Sequence, residues 1–356
     1  MHAIAVRKGE QRPRLVERPK PEAGPGEALV RTLRVGVDGT DHEVLSGGHG
    51  GFPAGADSLV LGHEAVGVVE TAPEDAALSA GDVVVPTVRR PPAVGESNAY
   101  FDRGEADMAP PGEYVERGID GGDGFMAEYF TSHVEYLVPI PDHLAEFGFL
   151  VEPISITEKA LELAAASRAS FEWTPESALV LGNGSLGLLT LAMLSDYDST
   201  YCLGKRDRPD PTIDIIEKLG ATYIDSRETP VSEIPRAYEA MDLVYEATGY
   251  AKHAFETIEA LAPNGVGALL GVPAGGWDFE VAGSDLHREF VLQNKALVGS
   301  VNSGRQHFEA ATETLDSLPE WFCSDLVTGV YDLDSYEKAF RTDERTIKTA
   351  IEFDQL

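Results

Sequence analysis

The chain is poor in cysteine, in lysine and in long apolar runs, and each shortage excludes a class of protein. Its 356 residues hold two cysteines, Cys202 and Cys323. Two thiols cannot staple a disulfide scaffold, so the fold must rest on a hydrophobic core in a reducing compartment. The first residues, MHAIAVR, lack the apolar run of a secretory signal. No stretch approaches the ~20 apolar residues that a membrane-spanning helix needs. A soluble, cytoplasmic protein with no membrane partner is expected. Basic residues number 28 against 60 acidic ones, and only nine of them are lysines. Nucleic acid is excluded as a partner, because phosphate binding needs a basic face.

What is present is a surface-type acid load carried by a core-forming chain. Hydrophobic residues make up 43% and charged residues 25%, an ordinary globular balance, yet the net charge is −32. The acids are spread along the whole chain, so they do not mark a disordered acidic tail. A surface this negative repels itself. Molar salt screens such repulsion over ~3 Å. The composition therefore points to the salt-filled cytoplasm of an extreme halophile, with an ordinary acidic protein as the alternative. The length implies two domains.

The first ~150 residues read as β-rich, with strands expected at Glu27–Val35, Ser58–Leu61, Ala65–Glu70 and Asp82–Pro86 between turn residues. Arg89–Gly124 has little periodicity and reads as a long lobe or loop. From Glu152 the pattern changes. A helix is expected over Ile154–Ala166, then strand and helix alternate: Ser177–Leu181, Leu186–Ser195, Thr200–Leu203, Pro211–Leu219, followed by strands Asp242–Glu246, Gly267–Gly271 and Leu297–Val301. That alternation predicts an α/β domain, a parallel sheet covered on both faces. The tail from Ser303 is expected to carry one helix and short mixed elements, and to return to the first domain.

Two constellations carry chemistry. The first is Gly182-Asn183-Gly184-Ser185-Leu186-Gly187, a G-x-G-x-x-G run that follows a buried strand and opens a helix. Gly182 permits the tight turn, Gly184 lets backbone approach a pyrophosphate, and Gly187 lets helix and strand pack closely. The free N–H groups of the helix N-terminus receive the phosphates. An NAD site usually has an acid ~20 residues on, for the ribose hydroxyl. Here Gly204 stands there, followed by Lys205, Arg206 and Arg208. A 2′-phosphate needs that room and charge, so NADP is preferred and NAD is the weaker alternative. Arg206 is the first choice for the phosphate, with Lys205 or Arg208 second. The second constellation is dispersed: Asp38, Thr40, Asp41 and His42; Gly62-His63-Glu64; and Val151-Glu152-Pro153.

In this order the motifs resemble the zinc-dependent medium-chain dehydrogenase/reductases, and within them the archaeal glucose dehydrogenases. The likeness spans nearly the whole chain. It includes Asp242–Gly249 (DLVYEATG) and Gly299-Ser300-Val301-Asn302. The resemblance implies a GroES-like catalytic domain over 1–153 and 304–356, and a Rossmann domain over 154–303. It implies one catalytic zinc held by Asp38, His63 and Glu152, with Glu64 near enough to exchange with water. Asp38 departs from the family's usual cysteine and is a harder ligand. Thr40 would relay the proton of the reacting hydroxyl, with His42 carrying it towards solvent. Glu116 and Asn302, with Thr40 and Glu152, would bind the sugar, Glu113 being an alternative to Glu116. Thr248 would touch the cofactor. The lobe lacks the four cysteines of a structural zinc, so none is expected, and a dimer is favoured over a tetramer. The implied reaction is oxidation of D-glucose at C1. A polyol or secondary-alcohol dehydrogenase is the alternative, and a metal-free quinone or enone reductase or a non-catalytic NADP sensor are more distant ones. The double change Lys205→Ala with Arg206→Ala is expected to raise the Michaelis constant for NADP far more than that for NAD; equal effects on both would remove the phosphate assignment.

Overall fold

A computed structural model describes residues 1–92, 97–273, 275, 276 and 278–356. Residues 93–96, within the lobe expected at Arg89–Gly124, lie outside that description. The chain divides into two compact units, Met1–Ser155 with Asn302–Leu356, and Ile156–Val301.

The first unit is β-rich. Its main sheet runs in the order Leu137–Pro139, Val83–Pro86, Ala65–Thr71, Glu27–Val37, Lys348–Glu352, Val327–Tyr331, and Tyr129–His133 also pairs with Glu27–Val37. The long central strand Glu27–Val37 is the axis of this sheet. It ends at Asp38, where the helix Gly39–Ser46 begins. The C-terminal strand Lys348–Glu352 pairs antiparallel with it, setting Thr349 opposite Val37. The last segment of the chain is thereby brought beside the end that carries Asp38. The tail holds two helices, Arg305–Ser317 and Glu320–Leu326, where one was expected. Leu318-Pro319 ends the first, and Pro319 caps the second. The lobe is not a featureless loop. Arg89–Arg90, Val115–Arg117 and Gly121–Gly122 form a small sheet, with a helix at Ala99–Asp102 and a 3-10 turn at Ala106–Met108.

The second unit is α/β, as expected. Among the described residues it has a six-stranded parallel sheet ordered Thr222–Asp225, Ser199–Gly204, Ser177–Leu181, Met241–Glu246, Leu261–Leu269, Ala296–Gly299. The strands read as apolar because helices shield both faces. Leu179, Leu181, Leu203, Ile224, Met241 and Val244 sit in one buried cluster. Each fully buried Leu or Ile contributes about 1.5–3 kcal/mol of hydrophobic stabilisation. Strand order reverses between Ser177–Leu181 and Met241–Glu246, and the carboxyl ends there form the crevice where open α/β sheets bind ligands. Helix Ser185–Met193 starts at this point with Gly184 as its N-cap. Gly182 has φ 111°, a conformation that glycine adopts without steric cost. A Cβ on Gly187 would run into the carbonyl of Gly182, so the helix packs on the strand at the closest range the backbone allows. Gly187→Ala is expected to destabilise the second unit by about 1–3 kcal/mol. A lower thermal midpoint in molar KCl would show this, and an unchanged midpoint would contradict the packing argument.

Candidate active site

Three turns in the first unit converge on a buried group of charges. Asp38 caps the helix that follows the central strand. Its Oδ1 accepts from the N–H of Asp41 at 3.1 Å, and its own N–H donates to Asp41 Oδ2 at 3.1 Å, a reciprocal capping box. His63 and Glu64 leave the turn at Gly62, whose φ of 86° redirects the chain between two strands. Glu152 lies in the first turn of helix Val151–Ala166. His63 Nε2 sits 3.7 Å from Asp38 Oδ2. Donor atoms of Asp38, Asp41 and His63 lie within 4.8 Å of one another, and so do those of His63, Glu64 and Glu152. Sequence reading had these ligand candidates and placed Asp41 beside them without a role, but it missed Lys348, which forms an ion pair with Glu64. Lys348 is 1% exposed and comes from the last strand. Its signal was a lysine inside the apolar run Ile347–Ile351, in a chain with few lysines.

The charges do not balance. Four carboxyls face two cations, His63 and Lys348. Burial raises Asp41 to about 7, helped by the charge of Asp38. Burial likewise raises Glu152 to about 8; His63 opposes this, while Glu64 and Asp38 reinforce it. Glu64 is raised by burial against the pull of Lys348. Asp38 pays the same burial penalty, but His63 outweighs it and holds the carboxyl below its ordinary value. His63 is raised well above its ordinary value, because Asp38 overcomes desolvation. The side chains thus make a pocket short of positive charge. Nδ1 of His63 and Oδ1 of Asp41 are buried without a hydrogen-bond partner among the described residues. An imidazole and several carboxylates with unpaired atoms fit a divalent cation, and a nitrogen–oxygen set without sulfur suits zinc or a harder ion.

Around the cluster, Thr40 Oγ1 donates to Asp38 Oδ2 at 3.1 Å. His42 packs edge-on against Phe340, with ring centroids 6.2 Å apart, and has no hydrogen bond to Thr40 among the described residues. Glu116 and Asn302, far apart in sequence, are brought together: Asn302 Nδ2 donates to Glu116 Oε1 at 3.3 Å. Arg89, which sequence reading missed, donates to the same oxygen at 3.0 Å and stacks over Tyr114 at 3.7 Å. Glu116 is buried on the strand Val115–Arg117, whereas Glu113 is exposed and its backbone bonds to Pro110 and Asn98. The turn after Glu116 abuts the His63 turn, since a Cβ on Gly118 would strike the backbone of Gly62.

In the second unit the glycine run forms the turn described above. Asn183 Nδ2 donates to Thr212 Oγ1 at 2.6 Å, and Thr248 is held by Glu246 and by His253 Nδ1, the latter at 2.9 Å. Of the three cations after Gly204, Arg208 is engaged by Glu217. Among the described residues, Arg206 has one distant acid, Asp210 Oδ2 at 3.9 Å, and Lys205 lies 5.5 Å above the Tyr250 ring.

The chain is similar to known proteins along its whole length. Residues 24–142 match the alcohol dehydrogenase GroES-like domain, and residues 145–353 match the glucose dehydrogenase C-terminus. The chain is 65% identical to a glucose 1-dehydrogenase of Halobacterium salinarum, over 99% of both chains. It superposes with a TM-score of 0.97 on the glucose dehydrogenase of Haloferax mediterranei in complex with NADP, zinc and gluconolactone, at 66% identity over 100% of both chains. A D38C mutant of the Haloferax mediterranei enzyme matches equally, with the same TM-score and identity over 100% of both chains. A glycine-rich nucleotide turn, a buried His–carboxylate cluster and likeness along the full length lead to one conclusion: the chain belongs to the glucose dehydrogenases of the zinc-dependent medium-chain dehydrogenase/reductase family.

Proposed function

We propose that the chain is an NADP-preferring glucose 1-dehydrogenase that oxidises D-glucose at C1 to gluconolactone. The observation that carries this reading is the buried cluster of Asp38, His63, Glu64 and Glu152, in a chain 65% identical to a glucose 1-dehydrogenase. The unit Met1–Ser155 with Asn302–Leu356 is the catalytic domain, and Ile156–Val301 binds the dinucleotide. Asp38, His63 and Glu152 hold the metal, and Glu64, tied to Lys348, stands by as an exchangeable ligand. When bound, zinc supplies Lewis-acid polarisation of the C1 oxygen and NADP supplies the hydride acceptor. Thr40, bonded to Asp38, holds its hydroxyl at the site to take the proton of the C1 hydroxyl. His42 passes it on by way of solvent, since it does not reach Thr40 directly. Arg89 and Asn302 both engage Oε1 of Glu116, which leaves Oε2 for a sugar hydroxyl. Lys205 and Arg206 receive the 2′-phosphate.

One zinc per subunit is proposed. Two buried free thiols suit a reducing cytoplasm, and the acidic surface suits molar salt within it. We also propose a dimer. The strand Ala296–Gly299 is an open sheet edge, and Val281, Val291, Leu292 and Val301, exposed apolar side chains near it in sequence, favour cover by a second copy.

The test is NADPH formation from D-glucose and NADP in ~3 M KCl, where surface repulsion is screened. Activity should disappear on chelation and return with zinc. Turnover on a polyol or simple alcohol but not on glucose would move the substrate assignment and leave the metal reading intact. His63→Ala is expected to lower kcat/KM by more than ~100-fold, beyond the loss that removal of a supporting partner causes, and to reduce bound zinc with NADP binding largely preserved. Retained activity and zinc content in that variant would defeat the metal assignment.

A further inference from the structure

Molar salt changes what phosphate recognition requires. Attraction between a cation and a phosphate is screened beyond ~3 Å at 1 M salt. Affinity then depends on contact hydrogen bonds, and these require that the cation be placed, not merely present. The segment Gly204–Asp207 shows how placement is achieved. Arg206 is held by its backbone: its N–H donates to the Tyr223 hydroxyl at 2.7 Å, and that hydroxyl donates to the Arg206 carbonyl at 3.1 Å. One phenol thus occupies both backbone polar groups of a single loop residue. Two further ties flank it. The N–H of Ser226 donates to the Gly204 carbonyl at 2.9 Å, and Arg227 pairs with Asp207 at 2.5 Å. All three come from the outermost strand Thr222–Asp225 and the turn after it. The Tyr223 ring also packs over Gly204, where a Cβ would come within 2.9 Å of its Cε2 and 2.6 Å of Asn183 Oδ1. The space that an acidic side chain would need at position 204 is therefore filled.

We propose that Tyr223 is a positioning residue for coenzyme choice: its hydroxyl latches the backbone of Arg206 so that the guanidinium emerges towards a 2′-phosphate. The latch rests on the reading of Arg206 as the phosphate ligand. It acts on NADP and not on NAD, because it works only through that side chain. Its ring at Gly204 works in the same direction, by excluding the carboxylate that would favour NAD.

The experiment is titration calorimetry of the full chain in ~3 M KCl, with NADP, NAD and adenosine 2′,5′-bisphosphate as ligands. The proteins are the wild type, Tyr223→Phe, Arg206→Ala and the double variant, each with its thermal midpoint measured in the same salt. Loss of the hydroxyl should weaken NADP and the bisphosphate by roughly 3- to 10-fold, the range for one or two hydrogen bonds, and leave NAD nearly unaffected. In the Arg206→Ala background the same change should cost nothing further. Equal weakening of NADP and NAD would reduce Tyr223 to a prop of the fold and overturn the proposal, as would an undiminished loss in the Arg206→Ala background. If Arg206→Ala weakens NADP but Tyr223→Phe does not, the latch alone fails. If Arg206→Ala leaves NADP affinity unchanged, the assignment of Arg206 fails and the latch falls with it.

Discussion

The catalytic unit is organised around a surplus of buried negative charge. Asp38, Asp41, Glu64 and Glu152 come from four sequence segments and meet where only His63 and Lys348 answer them. Burying a charge is costly unless it is paired, and removing one partner from a buried pair destabilises a protein by about 3–5 kcal/mol. Lys348 is the partner the fold supplies from within. It explains why the C-terminal strand returns to lie against Glu27–Val37: the pairing of Thr349 with Val37 carries the ammonium to Glu64. Its charge still leaves the cluster short of positive charge, a shortage that suits the divalent cation proposed for it.

The use of basic residues elsewhere follows a related logic. The chain has nine lysines, and three of them, Lys159, Lys295 and Lys348, are buried. Lys159 donates to the Val301 carbonyl at 2.9 Å and Lys295 to that of Ile258 at 2.7 Å. Arg90 is buried as well, donating to the carbonyls of Thr87 and Arg89 at 2.8 Å and stacking on Tyr136 at 4.3 Å. These cations give interior backbone oxygens a hydrogen-bond donor. A third of the few lysines is thus placed in the interior, while acids outnumber bases in the chain by 60 to 28. In molar salt such an acid excess is screened, whereas interior hydrogen bonds are shielded from ions.

What the sequence made legible was local. The glycine run Gly182–Gly187 lies within a few residues, so strand, turn and helix could be read together, and the expected strand Ser177–Leu181 matches the observed one. Apolar alternation gave Ser199–Gly204, Met241–Glu246 and Ala296–Gly299 to within a few residues, but it missed the edge strand Thr222–Asp225 and put the start of Leu261–Leu269 too late, at Gly267. Ala262-Pro263-Asn264-Gly265 looks like a turn, yet it lies within that strand, where Asn264 adopts φ 66°. The long-range partners were not legible. Nothing near Lys348 announces Glu64, and nothing near Arg89 announces Glu116. Such pairs arise from sheet register, which sets partners 27 residues apart for Arg89 and Glu116 and hundreds apart for Lys348 and Glu64. The second helix of the tail was missed for a simpler reason: Glu320–Leu326 spans under two turns, too short for a periodic pattern to separate from a loop.

Asp38 shows how a departure from a family pattern can be locally consistent. A thiol at this position would give a softer ligand but a poor acceptor for a backbone N–H. The carboxylate has two oxygens and uses them differently. Oδ1 closes the capping box with Asp41, and Oδ2 receives Thr40 and faces His63. One residue therefore starts the helix, orients the hydroxyl and turns an oxygen towards His63. An N-cap of this kind is worth about 1 kcal/mol, so the aspartate contributes to folding whether or not a metal is bound. The reciprocal bond from Asp41 fixes which oxygen is free. Asp41, a neighbour three residues on, thereby decides how Asp38 meets the site, and the two acids are best understood as a single structural unit.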